Sequence, residues 1–294
     1  MNRSSISAWV EAMRLRTLPV GMAGVVTAIA LAVSSGTVAM VPAILCLLFA
    51  LLAQIASNFG NEYFDYRAGL DAPGRVGPRR GVTEGDISPR AMCVATFATL
   101  AAACAVGLSL IPYGGWWLIV VGLFVAVGVV AYSAGPYPLS RHALGEVAVV
   151  VFFGLIPVCV TYMLVSMRPV DTTVACAAIG MGLMGANVIL VNNFRDRRDD
   201  SAVGKVTIAT LWPRPVIMLL YLFGGLVGIA LTLPAWLELQ WWWLMVPCAA
   251  MIDHIANWVA FGEARGRGFN PLLGRTSLLM AAVALGLLIA SLCV

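Results

Sequence analysis

Two segments of the 294-residue chain concentrate side chains able to hold a hard metal ion. The first, N-F-G-N-E-Y-F-D-Y-R-A-G-L-D, runs from Asn58 to Asp71. Asn58, Asn61 and Asp65 are spaced i, i+3 and i+7, which puts them on one face if the apolar helix before them continues. Glu62 stands one position round, and Asp71 follows a turn at Gly69. The second, N-N-F-R-D-R-R-D-D, runs from Asn192 to Asp200, with Asn192, Asp196 and Asp200 at i, i+4 and i+8, again one stripe. Carboxylates gathered in this way repel one another unless a cation sits among them. Oxygen donors with no His or Cys nearby suit Mg²⁺, an ion that keeps several waters and is shared with substrate phosphates. Two facing stripes of this kind would hold several such ions and, through them, a diphosphate.

Basic groups follow both stripes. The loop R-V-G-P-R-R-G-V-T-E-G-D-I-S carries Arg75, Arg79 and Arg80, and G-K-V-T carries Lys205, the only lysine in the chain. Guanidinium and ammonium groups bind phosphate oxygens that metal ions leave free. The chain has no Walker A loop, no G-x-S-x-G and no G-x-G-x-x-G in a strand–helix setting, which argues against nucleotide hydrolysis and acyl transfer.

The elements that carry these segments are apolar. Hydrophobic residues make up 61% of the chain, charged residues 11%, and the mean hydropathy is +0.93. A soluble domain averages about 25% charge, so a soluble enzyme, a disordered chain and a nucleic-acid-binding module are excluded in favour of an all-α integral membrane protein. Nine runs are long enough to cross a bilayer, near 17–34, 38–58, 91–111, 116–134, 144–165, 172–192, 213–234, 240–261 and 271–292. They are continuous and lack the alternating polarity of a membrane barrel. With nine spans, 17 of the 18 Lys and Arg fall on the N-terminal side, Arg168 being the exception. The positive-inside rule then predicts a cytoplasmic N-terminus and puts both acidic stripes on the cytoplasmic face. The opposite loops carry Trp116, Trp117, Trp236 and Trp241 to Trp243, an interfacial aromatic belt. The first run has basic flanks but no clear cleavage site, so it is expected to be retained. The seven cysteines are scattered without a C-x-x-C pair, and His142 and His254 are isolated, which offers neither a disulfide framework nor a zinc site.

Together these residues resemble the UbiA superfamily of intramembrane aromatic prenyltransferases over nearly the whole chain, read as one membrane-embedded domain over 1–294. Arg14-Leu15-Arg16-Thr17-Leu18-Pro19 resembles its R-x-x-T-L-P start. Asn61 to Asp71 resembles N-D-x-x-D-x-x-x-x-x-D, with Glu62 in place of the first Asp. Gly77-Pro78-Arg79-Arg80 with Gly85-Asp86-Ile87-Ser88 resembles G-P-x-R…G-x-I-[ST]. Tyr132 to Pro136, Gly145-Glu146 and Phe152 to Gly154 resemble the fourth- and fifth-helix signatures. Asn192 to Asp196, running on to Gly204-Lys205, resembles N-N-x-R-D-x-x-x-D…G-K-x-T; Asn270-Pro271 and Arg275-Thr276 also match.

The resemblance is closest to the branch acting on 1,4-dihydroxy-2-naphthoate. It implies transfer of a polyprenyl group from polyprenyl diphosphate to that ring, with loss of CO₂ and diphosphate, to give demethylmenaquinone for menaquinone biosynthesis. It further implies Mg²⁺ held by Asn61, Asp65, Asp71, Asp196 and Asp200. Arg80, Lys205 and Arg79 would bind the diphosphate, and Arg14 and Asn192 the acceptor. Asp65, Asp196 and Tyr132 would carry the chemistry, in a bacterial cytoplasmic (inner) membrane with lipid all round. Two other readings stand beside it. One is a UbiA-type enzyme with another acceptor, such as 4-hydroxybenzoate, haem or a chlorophyll precursor. The other is a secondary transporter, against which the acids' position at helix ends and the near absence of charge within the spans both argue.

Overall fold

The computed structural model describes residues 5–15, 17–71 and 77–293, and it is helical throughout these. The segment expected to carry Arg75 lies outside the described residues. In chain order the helices are α1 (Ser5–Met13), α2 (Leu18–Ser34), α3 (Met40–Arg67), α4 (Pro89–Leu108), α5 (Ile111–Gly114), α6 (Trp117–Ala131) and α7 (Gly145–Val149). A π-helical segment, Val150–Leu155, leads into α8 (Ile156–Ser166). Then come α9 (Thr172–Ala202), α10 (Ile208–Leu211), α11 (Arg214–Leu237), α12 (Met245–Glu263) and α13 (Phe269–Leu292).

All nine expected apolar runs fall on helices, but not all are long enough to span. Seven helical segments among the described residues have the length and composition to cross a membrane. The first and fourth runs fall short. α2, with 17 residues, qualifies only together with α1 as a bent pair, and α6 has 15 residues, about 22 Å at 1.5 Å per residue, against a hydrocarbon core of roughly 30 Å.

Two helices overshoot instead, and they carry the stripes. α3 has 28 residues and α9 has 31, about 42 and 46 Å of rise. Their last turns are where the polar motifs sit, so both motifs are helical continuations of apolar spans. Both helices also end by the same device. The N–H of Leu70 closes on the carbonyl of Asp65, and the N–H of Lys205 on that of Asp200, at 3.0 and 2.9 Å. In each case a glycine with positive φ precedes the closing residue, Gly69 at 67° and Gly204 at 72°. This is a Schellman end, which glycine permits because it has no Cβ to clash in the left-handed region. It stops each helix one turn after a stripe carboxylate. At the second helix it also folds Lys205 back over Asp200.

α9 is the central element. It packs against α11, α13, α7 and the π-helical segment, and its buried face from Val174 to Phe194 runs through the main core. A short backbone pairing holds the α6–α7 loop to the segment after α9: Ala143 N–H donates to Val206 O and Val206 N–H to Arg141 O, at 3.0 and 3.2 Å.

Candidate active site

Ten of the eleven residues expected at the site line one cavity: Arg14, Asn61, Asp65, Asp71, Arg80, Tyr132, Asn192, Asp196, Asp200 and Lys205. Its volume is about 290 Å³, and Asn193, Asp199 and Ser140 complete its polar wall. Among the described residues five aspartates and three cations line it, a carboxylate-rich wall of the kind that favours divalent cations.

The first stripe enters from α3. Asn61 accepts a hydrogen bond from the Ser133 hydroxyl at the end of α6. Asp65 faces two guanidinium groups: Arg80 Nη2 at 3.6 Å and Arg141 Nη2 at 3.4 Å. Arg80 also reaches Asp71, Nε to Oδ2 at 3.3 Å. Arg80 is buried, and its Nη1 has no hydrogen-bond acceptor among the described residues. A desolvated guanidinium nitrogen of this kind is suited to an anionic oxygen, as diphosphate would supply.

The second stripe enters from α9. Arg195 clamps Asp196 with two bonds, Nε–Oδ1 at 2.7 Å and Nη2–Oδ2 at 2.8 Å. The same guanidinium donates to Asn192 Oδ1 at 2.8 Å and to Asn270 Oδ1, at the start of α13, at 3.1 Å. Lys205 Nζ stands 3.3 Å from Asp200 Oδ1. Asn193 donates to Glu146 Oε1 at 3.0 Å, tying α9 to α7.

Tyr132 is fixed by its neighbours. Its carbonyl accepts from Ser140 N–H at 2.9 Å, and the carbonyl of Ser133 accepts from Arg141 at 2.9 Å. Tyr132 also lines a second, apolar cavity, a slot walled by α3, α6, α8 and the π-helical segment. The polar cavity and the slot therefore meet at this side chain. Arg14 reaches the polar cavity from the turn between α1 and α2, where its φ is 54°. That turn is held by Asn58, whose Nδ2 donates to Met13 O at 2.9 Å.

Three expectations need correction. Arg79 does not join Arg80. Its side chain is exposed and pairs with Asp86, Nε–Oδ2 at 3.0 Å, a bond that pushes the guanidinium pKa up further. Asn58 shares a helix face with Asn61 and Asp65 but is consumed by α1. The acids are not a ready-made ion cluster either. Among the described residues no three His, Cys, Asp or Glu side chains stand together as a metal-ligand group, and Asp65, Asp71, Asp196 and Asp200 each face a cation instead. The donor set still fits Mg²⁺ in kind, being carboxylate and amide oxygen throughout.

Sequence reasoning missed Arg141 and Arg195 as partners of the acids, and Glu62 as a structural anchor. Arg141 is the one basic residue of its loop, which was the available signal. Glu62 is buried, and its Oε1 accepts the N–H of Val82 at 3.0 Å, so this acid of the first motif holds the Arg80 loop.

Helices that deliver amide and carboxylate stripes to one polar cavity beside an apolar slot are found in a known family. The chain belongs to the UbiA prenyltransferase family, whose profile matches residues 22–270. With seven long apolar helical segments among its described residues, it is a multi-pass membrane protein. It is 30% identical over 282 residues to the Escherichia coli (strain K12) protein named 1,4-dihydroxy-2-naphthoate octaprenyltransferase, covering 93% of this chain and 91% of that one. It is 32% identical over 284 residues, 96% of each chain, to the protein of that name from Mycobacterium tuberculosis. Its fold is similar to the apo structure of a UbiA homolog from Aeropyrum pernix K1, with TM-score 0.71, 14% identity, and 92% and 97% of the two chains covered. It is also similar to that of a UbiA homolog from Archaeoglobus fulgidus bound to DMAPP and Mg²⁺, with TM-score 0.62, 16% identity, and 94% and 99% covered.

Proposed function

We propose that this chain transfers a polyprenyl group from polyprenyl diphosphate to 1,4-dihydroxy-2-naphthoate, releasing CO₂ and diphosphate and forming demethylmenaquinone. The observation that carries this reading is the shared wall at Tyr132, where a carboxylate-lined cavity fed by both stripes adjoins an apolar slot. A substrate with an anionic head and a hydrocarbon tail has this polarity profile. In the same reading the whole chain is one domain with nine spans in a bacterial cytoplasmic membrane. Its N-terminus and polar cavity face the cytoplasm, with the 17-to-1 division of basic residues as support.

Asn61, Asp65 and Asp71 on one side, and Asp196 and Asp200 on the other, would hold Mg²⁺, which neutralises charge on the diphosphate as the allylic C–O bond breaks. Arg80 and Lys205 line the same cavity and add positive charge at the phosphate oxygens. Arg14 and Asn192 face the acceptor and hold its carboxylate. The slot supplies Phe, Val and Gly surface, which keeps water from an allylic cation. The acceptor's carboxyl-bearing ring carbon forms the new C–C bond. The electrons of its C–CO₂ bond return to the ring as CO₂ departs.

The test is turnover of purified protein with farnesyl or longer diphosphate, 1,4-dihydroxy-2-naphthoate and Mg²⁺, read as diphosphate and CO₂ release. Asp65→Ala and Asp196→Ala are expected to lose at least about 100-fold, the usual scale for removing a group that stabilises transition-state charge. Near-full turnover in both variants sinks the proposal.

A further inference from the structure

The apolar slot has a measurable length. On α6 it is lined by Tyr132, Val129, Gly128, Val125, Gly122, Val121 and Leu118, a single helix face. From Tyr132 to Leu118 the helix advances about 21 Å at 1.5 Å per residue. Val25, Cys46, Leu110 and Leu118 line its far end and belong to one packed group with Leu164. An isoprene unit adds four chain carbons, about 5 Å when extended with C–C bonds of about 1.5 Å. The stretch from Tyr132 to Leu118 therefore matches about four units of a prenyl chain.

Two glycines face the slot from α6, and they differ. A Cβ at Gly128 would overlap the Phe152 ring, so Gly128 is explained by packing. Gly122 lines the slot, yet no heavy atom lies within 4 Å of where its Cβ would be. Among the described α-helical glycines only Gly122 and Gly274 meet nothing, and of these only Gly122 lines the slot. A mid-helix glycine costs roughly 0.5–1 kcal/mol relative to alanine. No contact among the described residues requires glycine there, and Gly122 lines the slot about 15 Å along the helix from Tyr132, level with the third isoprene unit.

We propose that Gly122 is a specificity-determining residue for prenyl chain length: its missing side chain keeps the slot open beyond the third unit and so admits longer tails. This rests on the prenyl-transfer reading above. The test uses the full chain carrying Gly122→Leu or Gly122→Phe, with geranyl, farnesyl, geranylgeranyl and octaprenyl diphosphates, 1,4-dihydroxy-2-naphthoate and Mg²⁺. Both variants are expected to hold geranyl kcat/KM within about threefold of wild type. The octaprenyl-to-geranyl ratio should fall about tenfold or more with phenylalanine, and less with leucine, in step with the slot volume each side chain fills. Retained turnover of the geranyl substrate serves as the folding control. An unchanged ratio in both variants, or equal loss at every length in the leucine variant, overturns the proposal while leaving prenyl transfer intact. Wild-type protein that turns over none of the four overturns the activity and the proposal together.

Discussion

Replacing Glu62 with alanine tests whether the first motif's second residue anchors a loop or binds an ion. Glu62 Oε1 accepts the Val82 N–H at 3.0 Å, and both residues are buried. Val82 lies two residues after Arg80 in a tight turn. Glu84 N–H donates to Arg80 O at 3.0 Å, Asp86 N–H to Gly81 O at 2.8 Å and Ile87 N–H to Gly81 O at 3.0 Å. Val82 and Ile87 also pack with Phe59 and Met92 in a small separate core. A turn held this firmly moves as a unit, so loss of the Glu62 contact shifts Arg80 away from Asp65 and Asp71. A hydrogen bond to a charged group contributes about 1.5–3 kcal/mol, and a buried N–H left unmet costs a similar amount. If that free energy appears in the transition state, kcat/KM for Glu62→Ala falls about 10- to 150-fold. Glu62→Gln keeps an oxygen acceptor and should fall no more than about tenfold, since a neutral bond contributes about 0.5–1.5 kcal/mol. The assay is steady-state diphosphate release across a Mg²⁺ titration. An anchoring role leaves the half-saturating Mg²⁺ concentration of Glu62→Gln within about twofold of wild type, whereas loss of an ion ligand raises it by about tenfold or more. That rise, or wild-type activity in Glu62→Ala, would refute the reasoning.

The two adjacent arginines should separate sharply. Arg80→Ala removes a buried group between two cavity carboxylates, and a loss of at least about tenfold in kcat/KM is expected. Arg79→Ala removes an exposed ion pair and should cost no more than a few-fold in the same assay. Asp196→Ala strands the Arg195 guanidinium, whose side chain is 1% exposed. A drop in unfolding free energy of about 3–5 kcal/mol is expected from thermal melts in detergent. Replacing both partners, Arg195→Met with Asp196→Leu, should recover most of that stability but no turnover. An unaltered melt for Asp196→Ala would show that Arg195 does not depend on it.

The fold was legible because bilayer physics writes itself into composition. Continuous apolar runs marked the helices within a few residues, and the scarcity of charge made each remaining charge informative. The sequence did not show that α2 and α6 are short while α3 and α9 overshoot. Run length records where polarity begins, not where a helix stops, and these stops are set by Gly69 and Gly204 in the left-handed conformation. The nine runs lie on helices, but among the described residues seven helical segments have the length to span alone.

The site was legible where periodicity carried it. Asn61 with Asp65, and Asn192 with Asp196 and Asp200, reach one cavity because a helix of known pitch leaves their relative direction little freedom. Which of Arg79 and Arg80 turns inward was not decidable in the same way. Both lie in a loop with no period, and the choice falls to Glu62 holding Val82 from another helix. Asn58 obeyed the periodicity and still left the site, because α1 brings the Met13 carbonyl to it.

The sequence by itself determined the class of molecule, its helices, the oxygen-donor chemistry and the stripes that present it. These depend on local spacing and on the cost of charge in lipid. Only the tertiary structure decided that Arg141 and Arg80 meet at Asp65 and that Asn270 supports the Arg195 clamp. It also decided that the polar cavity meets the apolar slot at Tyr132, and that Gly122 leaves that slot open. Most of these are contacts between segments far apart in the chain, where spacing carries no information and packing alone brings the groups together.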